Sequence, residues 1–493
     1  MNRSKRSATW RRRALYGAAM LLYGCAVGPD FKRPESPKIT GYTRSSVTLP
    51  AAGPADVQQN LVPAGEVATR WWEQFHSQPL NDVVTLAIAG SPTLDAARAS
   101  LAQAQEVVAA ARGGFYPQVD VTAGAARGRI STSAAPGSGQ VTANVLSIEP
   151  TVSYAPDVFG GTRRLVEQQS ALSELQRYEL AAAYLSLTGN AVTQAINIAS
   201  AREQIKAVQE IVAVDDQNLE LVGVEVEVGK AAQADLLSAR SVLASDRALL
   251  PPIRQQLSLS RHALSVLVGR SPASWTPPDF DLDTLSLPTD LPVTVPSALA
   301  RERPDILAVE AQLHAATAAI GVATAQLYPN VTLSASWTQA SGNLGTLFDG
   351  SAGLYSVAAD LTAPIFHGGT LEAQRRAAVD AMTVQLAAYR QTVLLAFGQV
   401  ADTLRALQHD AETLAALQNA LETAQASLQL TQESYAEGQA SFLQVLVAQR
   451  LYQQARLAYA KAKGQRYLDT VQLFVAMGGG WRSWNDPALG KDR

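Results

Sequence analysis

Four short stretches of the chain alternate apolar and polar residues with a period of two, the pattern of half-buried β-strands. In the first, Val119, Val121, Ala123 and Ala125 share a face against Gln118, Asp120 and Thr122; in the second, Leu146, Ile148, Val152 and Tyr154 oppose Ser147, Glu149, Thr151 and Ser153. The other two repeat the arrangement. Val331, Leu333, Ala335 and Trp337 oppose Asn330, Thr332, Ser334 and Ser336, and Tyr355, Val357, Ala359, Leu361 and Ala363 oppose Ser356, Asp360 and Thr362. Aromatic residues stand at the strand ends: Phe115, Tyr116, Phe159, Tyr328 and Phe366. One apolar face, one polar face and aromatic ends predict the staves of a membrane β-barrel, although a water-soluble sandwich alternates in the same way. Gly-, Ser- and Ala-rich segments near 131–143 and 340–353 read as the exposed connections of two hairpins.

Beyond the strands the pattern becomes helical. No proline falls between Pro156 and Pro251 or between Pro364 and Pro487, and Ala, Leu, Gln, Glu and Arg dominate both intervals. In the second interval Leu414, Leu417, Leu421, Ala424, Leu428, Thr431 and Tyr435 alternate spacings of three and four, a coiled-coil seam. A helix from about Thr370 to Glu437 is a rod of roughly 100 Å at 1.5 Å per residue. Gly229 and Gly438 mark the ends of the long helices, and shorter helices over about 231–269 and 440–476 are expected to return antiparallel.

The chain is an internal duplication. Ser91-Pro92-Thr93-Leu94 matches Arg303-Pro304-Asp305-Ile306, and Phe115-Tyr116-Pro117-Gln118-Val119 matches Leu327-Tyr328-Pro329-Asn330-Val331, at the same offset. Further on, Gly160-Gly161-Thr162 answers Gly368-Gly369-Thr370, and Gly229 with Ala231 answers Gly438 with Ala440, after a drift of a few residues that loops absorb. Each copy therefore contributes two strands to a protomer with four. Four strands cannot close a barrel, and an open edge cannot sit in lipid with unpaired amides and carbonyls. Closure requires several copies of the chain. Two would give eight strands and three would give twelve, and the strand count does not choose between them.

Composition sharpens this picture at the N-terminus. Arg3, Lys5, Arg6 and Arg11 to Arg13 precede a short apolar stretch, Ala14 to Gly24, with the form of a secretory signal and too short to span a bilayer. Leu22-Tyr23-Gly24-Cys25 then resembles a bacterial lipobox, in which the Cys becomes an acylated N-terminus; an ordinary signal with a chance Cys is the alternative, Tyr23 being bulky for its position. Cys25 is the only cysteine, and Ala26 after it fits sorting to the outer membrane under lipobox rules. Removing six basic and no acidic residues takes the formal charge from −3 to −9. A chain of this balance lacks the basic surplus that nucleic acid demands, so nucleic acid is not expected as a partner. No run of about twenty apolar residues suggests a membrane-crossing helix. Five dispersed His and one Cys leave no basis for a metal site or an intramolecular disulfide, and no cofactor is expected beyond an N-acyl diacylglycerol group on Cys25. Gly-x-Ser-x-Gly, His-Glu-x-x-His and phosphate-loop motifs are absent, so no enzyme is expected, and His367 beside Gly368-Gly369 fits a strand-to-helix turn.

These residues carry a resemblance to the TolC-like outer-membrane factors of the NodT/OprM lipoprotein branch, running from the lipid Cys to Trp481. The motifs in order are Val27-Gly28-Pro29-Asp30-Phe31 with Pro34; Trp71-Trp72 with Phe75 and Pro79-Leu80; Leu299 with Glu302-Arg303-Pro304-Asp305-Ile306; Leu327-Tyr328-Pro329; Pro364-Ile365-Phe366 with Gly368-Gly369; and Met477-Gly478-Gly479-Gly480-Trp481. The resemblance implies a mixed fold, a membrane β-barrel plus a long α-helical coiled-coil tunnel, with a homotrimer closing a twelve-stranded barrel. It implies the exit duct of a tripartite RND-type efflux system, passively conducting solutes delivered by an inner-membrane pump and a periplasmic adaptor. The exit duct of a type I protein-secretion system and a structural coiled-coil surface trimer are the alternatives. The implied division is a signal peptide (1–24), a lipidated extension (25–75), a first repeat (76–269), a Pro-rich equatorial linker (270–296), a second repeat (297–476) and a tail (477–493).

Carried onto this sequence, the resemblance puts a periplasmic gate at the hairpin tips. Asp235 and Tyr435 match a pair that hydrogen-bonds between neighbouring hairpins, and Leu443 matches an apolar constriction. The family's acidic ring falls at Gln444 and Val447, so this chain replaces charge with an apolar ring able to gate by dewetting. Packing of the seam alone is the alternative for all four gate positions. Gly229, Lys230, Gly438 and Gln439 match adaptor-contacting turns, where a glycine also serves simply to cap a helix. Asp120, Glu149 and Asp360 lie on the polar strand face with no base in the predicted strands, which suggests a lumen that favours cations.

Overall fold

The computed structural model describes residues 26–45, 47–50, 57–131 and 140–484. The signal segment 1–24, Cys25, positions 132–139 of the first hairpin connection and the tail beyond 484 lie outside the described residues. In chain order the elements are β1 (Asn60–Pro63), α1 (Gln78–Gly90), α2 (Pro92–Gly113), β2 (Gln118–Ser131), β3 (Gln140–Tyr154), α3 (Gly161–Glu227), α4 (Gln233–Arg247), α5 (Leu250–Leu267), β4 (Asp290–Val293), α6 (Pro296–Glu302), α7 (Pro304–Ala325), β5 (Asn330–Ser341), β6 (Gly353–Thr362), α8 (Thr370–Ala436) and α9 (Phe442–Ala476).

The duplication is visible in the elements. Helices α2 and α7 open at Pro92 and Pro304, where a proline costs no hydrogen bond. Both long helices, α3 and α8, have 67 residues. The offset drifts within the hairpins, whose strands and connections differ in length between the copies. The return legs differ too. Helix α9 is continuous, whereas the first copy divides into α4 and α5, which starts with Pro251 and Pro252 in its first turn. A single helix over 231–269 is thus not formed, because the two prolines lack amide donors for the turn before them.

Among the described residues, one compact unit gathers 26–34 with those of 101–176 and 309–389. Its centre is an antiparallel sheet of four strands in the order β2-β3-β5-β6. Cross-strand register aligns the alternating faces: Val119 opposes Val152, Val152 opposes Ala335, and Ala335 opposes Val357. Asp120, Thr151, Ser336 and Ser356 form the next row on the other face. The apolar row is bare within the protomer, Val119 being 67% and Val357 78% exposed. β2 and β6 are the sheet's edges. The first hairpin is longer than its apolar alternation suggests, since β2 continues to Ser131 and β3 begins at Gln140. It brings in Arg127 and Arg129, correcting the expectation that the strands carry no base.

The other unit combines the described residues of 35–100, 177–308 and 390–484. Its core is built on Trp71, Trp72 and Phe75, which are fully buried or nearly so; Trp71 stacks on Phe474 at 5.2 Å. The matched motifs meet here as packing. Arg303 forms a fork onto Asp305 at 2.7 and 3.0 Å and donates to the Ala476 carbonyl, while Trp481 Nε1 donates to the Glu302 carbonyl at 2.7 Å. β1 and β4 pair in parallel, each only four residues long and containing or ending on proline, too short to show an alternation. Helix α7 is apolar and long enough to cross a membrane by composition, against the sequence reading, but 61% of its most apolar window is buried in the fold.

Candidate functional site

The two hairpin tips share one backbone solution. After α3, the Gly229 amide donates to the Val226 carbonyl and the Lys230 amide to the Glu225 carbonyl; after α8, Gly438 donates to Tyr435 and Gln439 to Ser434. Gly229 and Gly438 have φ of 76° and 77°, the left-handed conformation of a helix-closing motif. A Cβ at either position meets no atom within 4 Å, so the dihedral and not crowding requires glycine. Lys230 is exposed, and Gln439 Nε2 donates to Glu437 Oε2 at 3.1 Å. All four helices of the hairpins meet just behind these turns in an apolar cluster of Val222, Ala239, Phe442 and Leu446, with Leu219, Val226, Leu236 and Tyr435 packed on it.

Tyr435 finds a partner that the sequence did not single out. Its hydroxyl donates to Glu225 Oε2 at 2.5 Å, linking α8 to α3 inside one protomer. Asp235 instead accepts from the Ala232 amide at 3.1 Å, closing the first turn of α4. Burial, then the Glu225 hydrogen bond and charge, with Asp235 adding to them, push the phenol up to about 12. Asp235 and Tyr435 are thus neighbours in one acidic cluster, but Glu225 is the hydrogen-bonded member. Glu225 lies 210 residues from Tyr435, so no local spacing signals the pair.

Along α9, Leu443, Val447 and Leu451 recur one turn apart and are 63%, 53% and 55% exposed. Leu451 extends the apolar stripe beyond the two predicted positions. Gln444 has a different duty: its Oε1 accepts from the Ser441 amide at 2.7 Å while its own amide points to Ser441 Oγ, a capping box opening α9. Leu221 and Val224 on α3, and Val228 just after it, are also exposed apolar residues.

Further along the same helices lie buried carboxyl pairs. Asp215 is 3% exposed; its Oδ1 accepts from Gln449 and Gln453 on α9, and Asn218 donates to Gln449 in turn. Its Oδ2 and that of Asp246 on α4 are both buried without a donor. Burial, with Asp246 hydrogen-bonded beside it, pushes the Asp215 carboxyl up to about 7, so one proton held between the pair satisfies both. Asp410 on α8 repeats the device with Asp469 on α9, burial again being the main cause of a carboxyl pushed up to about 8.

In the sheet unit, Asp120, Glu149 and Asp360 oppose Thr151, Thr122 and Thr332, all on the face away from the valine row. The segment just after Cys25 is fixed at the base of the same sheet. The Val27 amide donates to the Phe159 carbonyl, and Arg164 binds the Val27 and Gly28 carbonyls and Asp30 Oδ1. Gly28, at φ 93°, lets the segment lie against Gly321, where a Cβ would come within 2.5 Å of the Gly321 Cα. Phe159 and Tyr328 stack at 4.8 Å beside it. Among the described residues no cluster of His, Cys, Asp and Glu has the makings of a metal site.

Residues 83–270 and 295–479 match the family described as outer membrane efflux protein. The chain is 29% identical over 430 residues to the pyoverdine export outer membrane protein OpmQ of Pseudomonas aeruginosa, covering 86% of this chain and 90% of that one. It is 29% identical over 476 residues to nodulation protein T of Rhizobium leguminosarum, covering 94% and 92%. Among solved structures, the outer-membrane channel OprN superposes with a TM-score of 0.84 at 28% identity, over 93% of this chain and all of that one. The Campylobacter jejuni CmeC outer membrane channel, at 22% identity, shares the fold with a TM-score of 0.83 over 94% of this chain and 96% of its own. Two matched repeats, a sheet with one bare apolar face and paired 67-residue helices agree: the chain belongs to the outer membrane efflux protein family, and it is an outer-membrane exit duct of a tripartite efflux system, not an enzyme.

Proposed function

We propose that three copies of the chain, each anchored through an acylated Cys25, close a twelve-stranded barrel and pass small toxic solutes delivered by a periplasmic adaptor and an RND-type inner-membrane pump. The observation that carries this reading is the four-stranded sheet, with one apolar face and two unpaired edges. Such a sheet is stable in lipid only when copies seal its edges. Eight strands leave an interior that side chains fill, so two copies make a plug; three make the smallest assembly with room for a duct. The residue ranges given above for the signal peptide, lipidated extension, repeats and linker are part of the same proposal.

The anchor is supported by position. Ala26 and Val27 are held beside Gly160 and Phe159, where strand gives way to helix, the level at which a barrel of these strands would leave the bilayer. Acyl chains on the preceding residue would enter the bilayer there without a spacer. In the gate, Tyr435, Glu225 and Asp235 hold each tip, and Leu443, Val447 and Leu451 of three copies face one another as an apolar constriction. Gly229, Lys230, Gly438 and Gln439 offer the adaptor two short turns, and Asp120, Glu149 and Asp360 line the lumen of the barrel.

The deciding experiment places a photo-crosslinking amino acid at Gln439 in living cells and identifies what it captures by mass spectrometry. Capture of an adaptor belonging to a proton-driven pump is expected. Capture of a protein-secretion adaptor, or of the chain's own copies alone, overturns the proposal. Mass analysis of the N-terminal peptide checks the lipid separately, an unmodified Cys25 being the adverse result.

A further inference from the structure

Arg127 and Arg129 stand on the face of β2 that is otherwise apolar. The ladder with β3 runs from Gln118 opposite Ser153 to Ser131 opposite Gln140 without an inserted residue, so odd-numbered positions of β2 share one face throughout. That face reads Val119, Val121, Ala123 and Ala125, then Arg127 and Arg129. Opposite the two arginines stand Asn144 and Thr142, whereas opposite the apolar positions stand Val152, Pro150, Ile148 and Leu146. The change from apolar to polar therefore occurs on both strands at once. On the neighbouring hairpin Trp337 opposes Tyr355, and both are largely exposed, the placing of an interfacial aromatic girdle.

Charge is sorted by face. The acids Asp120, Glu149 and Asp360 all point to the other side of the sheet, and neither arginine has an ion pair or side-chain hydrogen bond among the described residues. Distance is informative as well. From Val119 to Arg129 is about 33 Å of strand at 3.3 Å per residue, which a tilt of about 40° reduces to about 25 Å along the membrane normal. That equals the height of the apolar band of outer-membrane barrels, so the guanidiniums emerge among head groups on the side away from the helices.

We infer that Arg127 and Arg129, with Asn144 and Thr142 beside them, are a docking site for the phosphates of the outer-leaflet glycolipid, lipid A. A guanidinium presents paired donors that match two phosphate oxygens, and two such groups on one face at alternate positions suit a bis-phosphorylated head group. Among the described residues of the sheet, an anion reaching this edge meets no competing carboxylate on the same face. The inference rests on the reading of the valine row as lipid-facing.

The test uses the full assembled chain in phosphatidylcholine nanodiscs, titrated with bis-phosphorylated lipid A or with lipid A stripped of its phosphates, and reads binding by native mass spectrometry and thermal unfolding. Wild type should retain phosphorylated lipid A and unfold at a higher temperature with it. Arg127→Gln/Arg129→Gln should weaken apparent affinity by at least about tenfold, while Arg127→Lys/Arg129→Lys should keep part of it. Equal binding by the Gln variant, or by dephosphorylated lipid A, overturns the inference; should the Gln variant fail to assemble, the Lys variant and the dephosphorylated lipid still decide it. Cysteine reporters at Val357 and Ser356 separate the two layers of argument. If Val357→Cys labels with a water-soluble maleimide as fast as Ser356→Cys, the lipid-facing reading fails and the inference with it. If Val357→Cys is shielded and the Gln variant binds normally, only the arginine site is lost.

Discussion

Tyr435 and Glu225 meet across 210 residues of sequence, the phenol donating to the carboxylate at 2.5 Å where α8 and α3 approach their tips. A hydrogen bond to a charged acceptor contributes about 1.5–3 kcal/mol when buried, and nearer 1 kcal/mol at a half-exposed site such as this. Tyr435→Phe should therefore loosen the tip, raising the open-to-closed ratio about fivefold, read as single-channel conductance in planar bilayers. An unchanged trace would remove this pair from the gate. The folded phenol is raised from 10 to about 12, so its neutral, bonded form contributes fully below pH 10 and is lost only as pH rises through 12. Across physiological pH the bond is constant.

Asp215 should behave in the opposite way to most structural carboxylates. Its folded pKa is raised from 3.8 to about 7, so the fold prefers the protonated form; the contribution is complete below about pH 4 and is lost as pH rises through 7. The groups around it are Asp246, Asp216 with its partner Arg247, Gln449 and Gln453. Hydrogen exchange at 211–218 and 446–454, corrected for intrinsic rates, should be slower at pH 5 than at pH 8. Asp215→Asn should flatten that difference, and a persistent slope in the variant would assign it elsewhere.

Gly229→Ala and Gly438→Ala should each cost about 1 kcal/mol, because alanine at φ near 76° is strained although nothing crowds its Cβ. The cost is local to the turn. Exchange should speed up about fivefold at 224–232 for the first variant and at 433–442 for the second, without loss of assembly.

Val447→Asp should turn the proposed apolar constriction into a charged one and shift the reversal potential in a salt gradient toward cations. Val447→Ala should widen it and raise basal conductance without that shift. Identical traces for both variants and wild type would place the constriction at another level of α9.

Neutralising the strand acids should act independently of the tip. Asp120→Asn, Glu149→Gln and Asp360→Asn together should abolish any cation preference of the open duct while leaving conductance of the closed state unchanged. A preference that survives all three would place selectivity outside the barrel.

What was legible in the sequence follows from which signals are local. Alternation fixed the faces of all four sheet strands, because register leaves Val119, Val152, Ala335 and Val357 in one row only if each was assigned to the right side. The seam from Leu414 to Tyr435 was equally plain, since its members are the less exposed positions of that stretch. Glu225, Asp215 and Asp246 were not found, because their partners come from other helices and a single carboxylate in a charged helix carries no pattern. Arg127 and Arg129 were lost for a different reason: apolar alternation stops at Ala125, but backbone pairing does not. The division of the first return leg is written locally in Pro251-Pro252, across which the helix expected over 231–269 runs.

The equal lengths of α3 and α8 bear on how a partner perceives the assembly. In a trimer, two helices of 67 residues closing with the same turn present six tips that are alike in backbone, yet only three carry Val228-Gly229-Lys230 and three carry Glu437-Gly438-Gln439. A ring of six subunits that reads main chain meets six matching sockets, while a ring of three that reads side chains finds one consistent set. In the trimer proposed here, gene duplication would in this way double the rotational symmetry available for docking without adding a subunit.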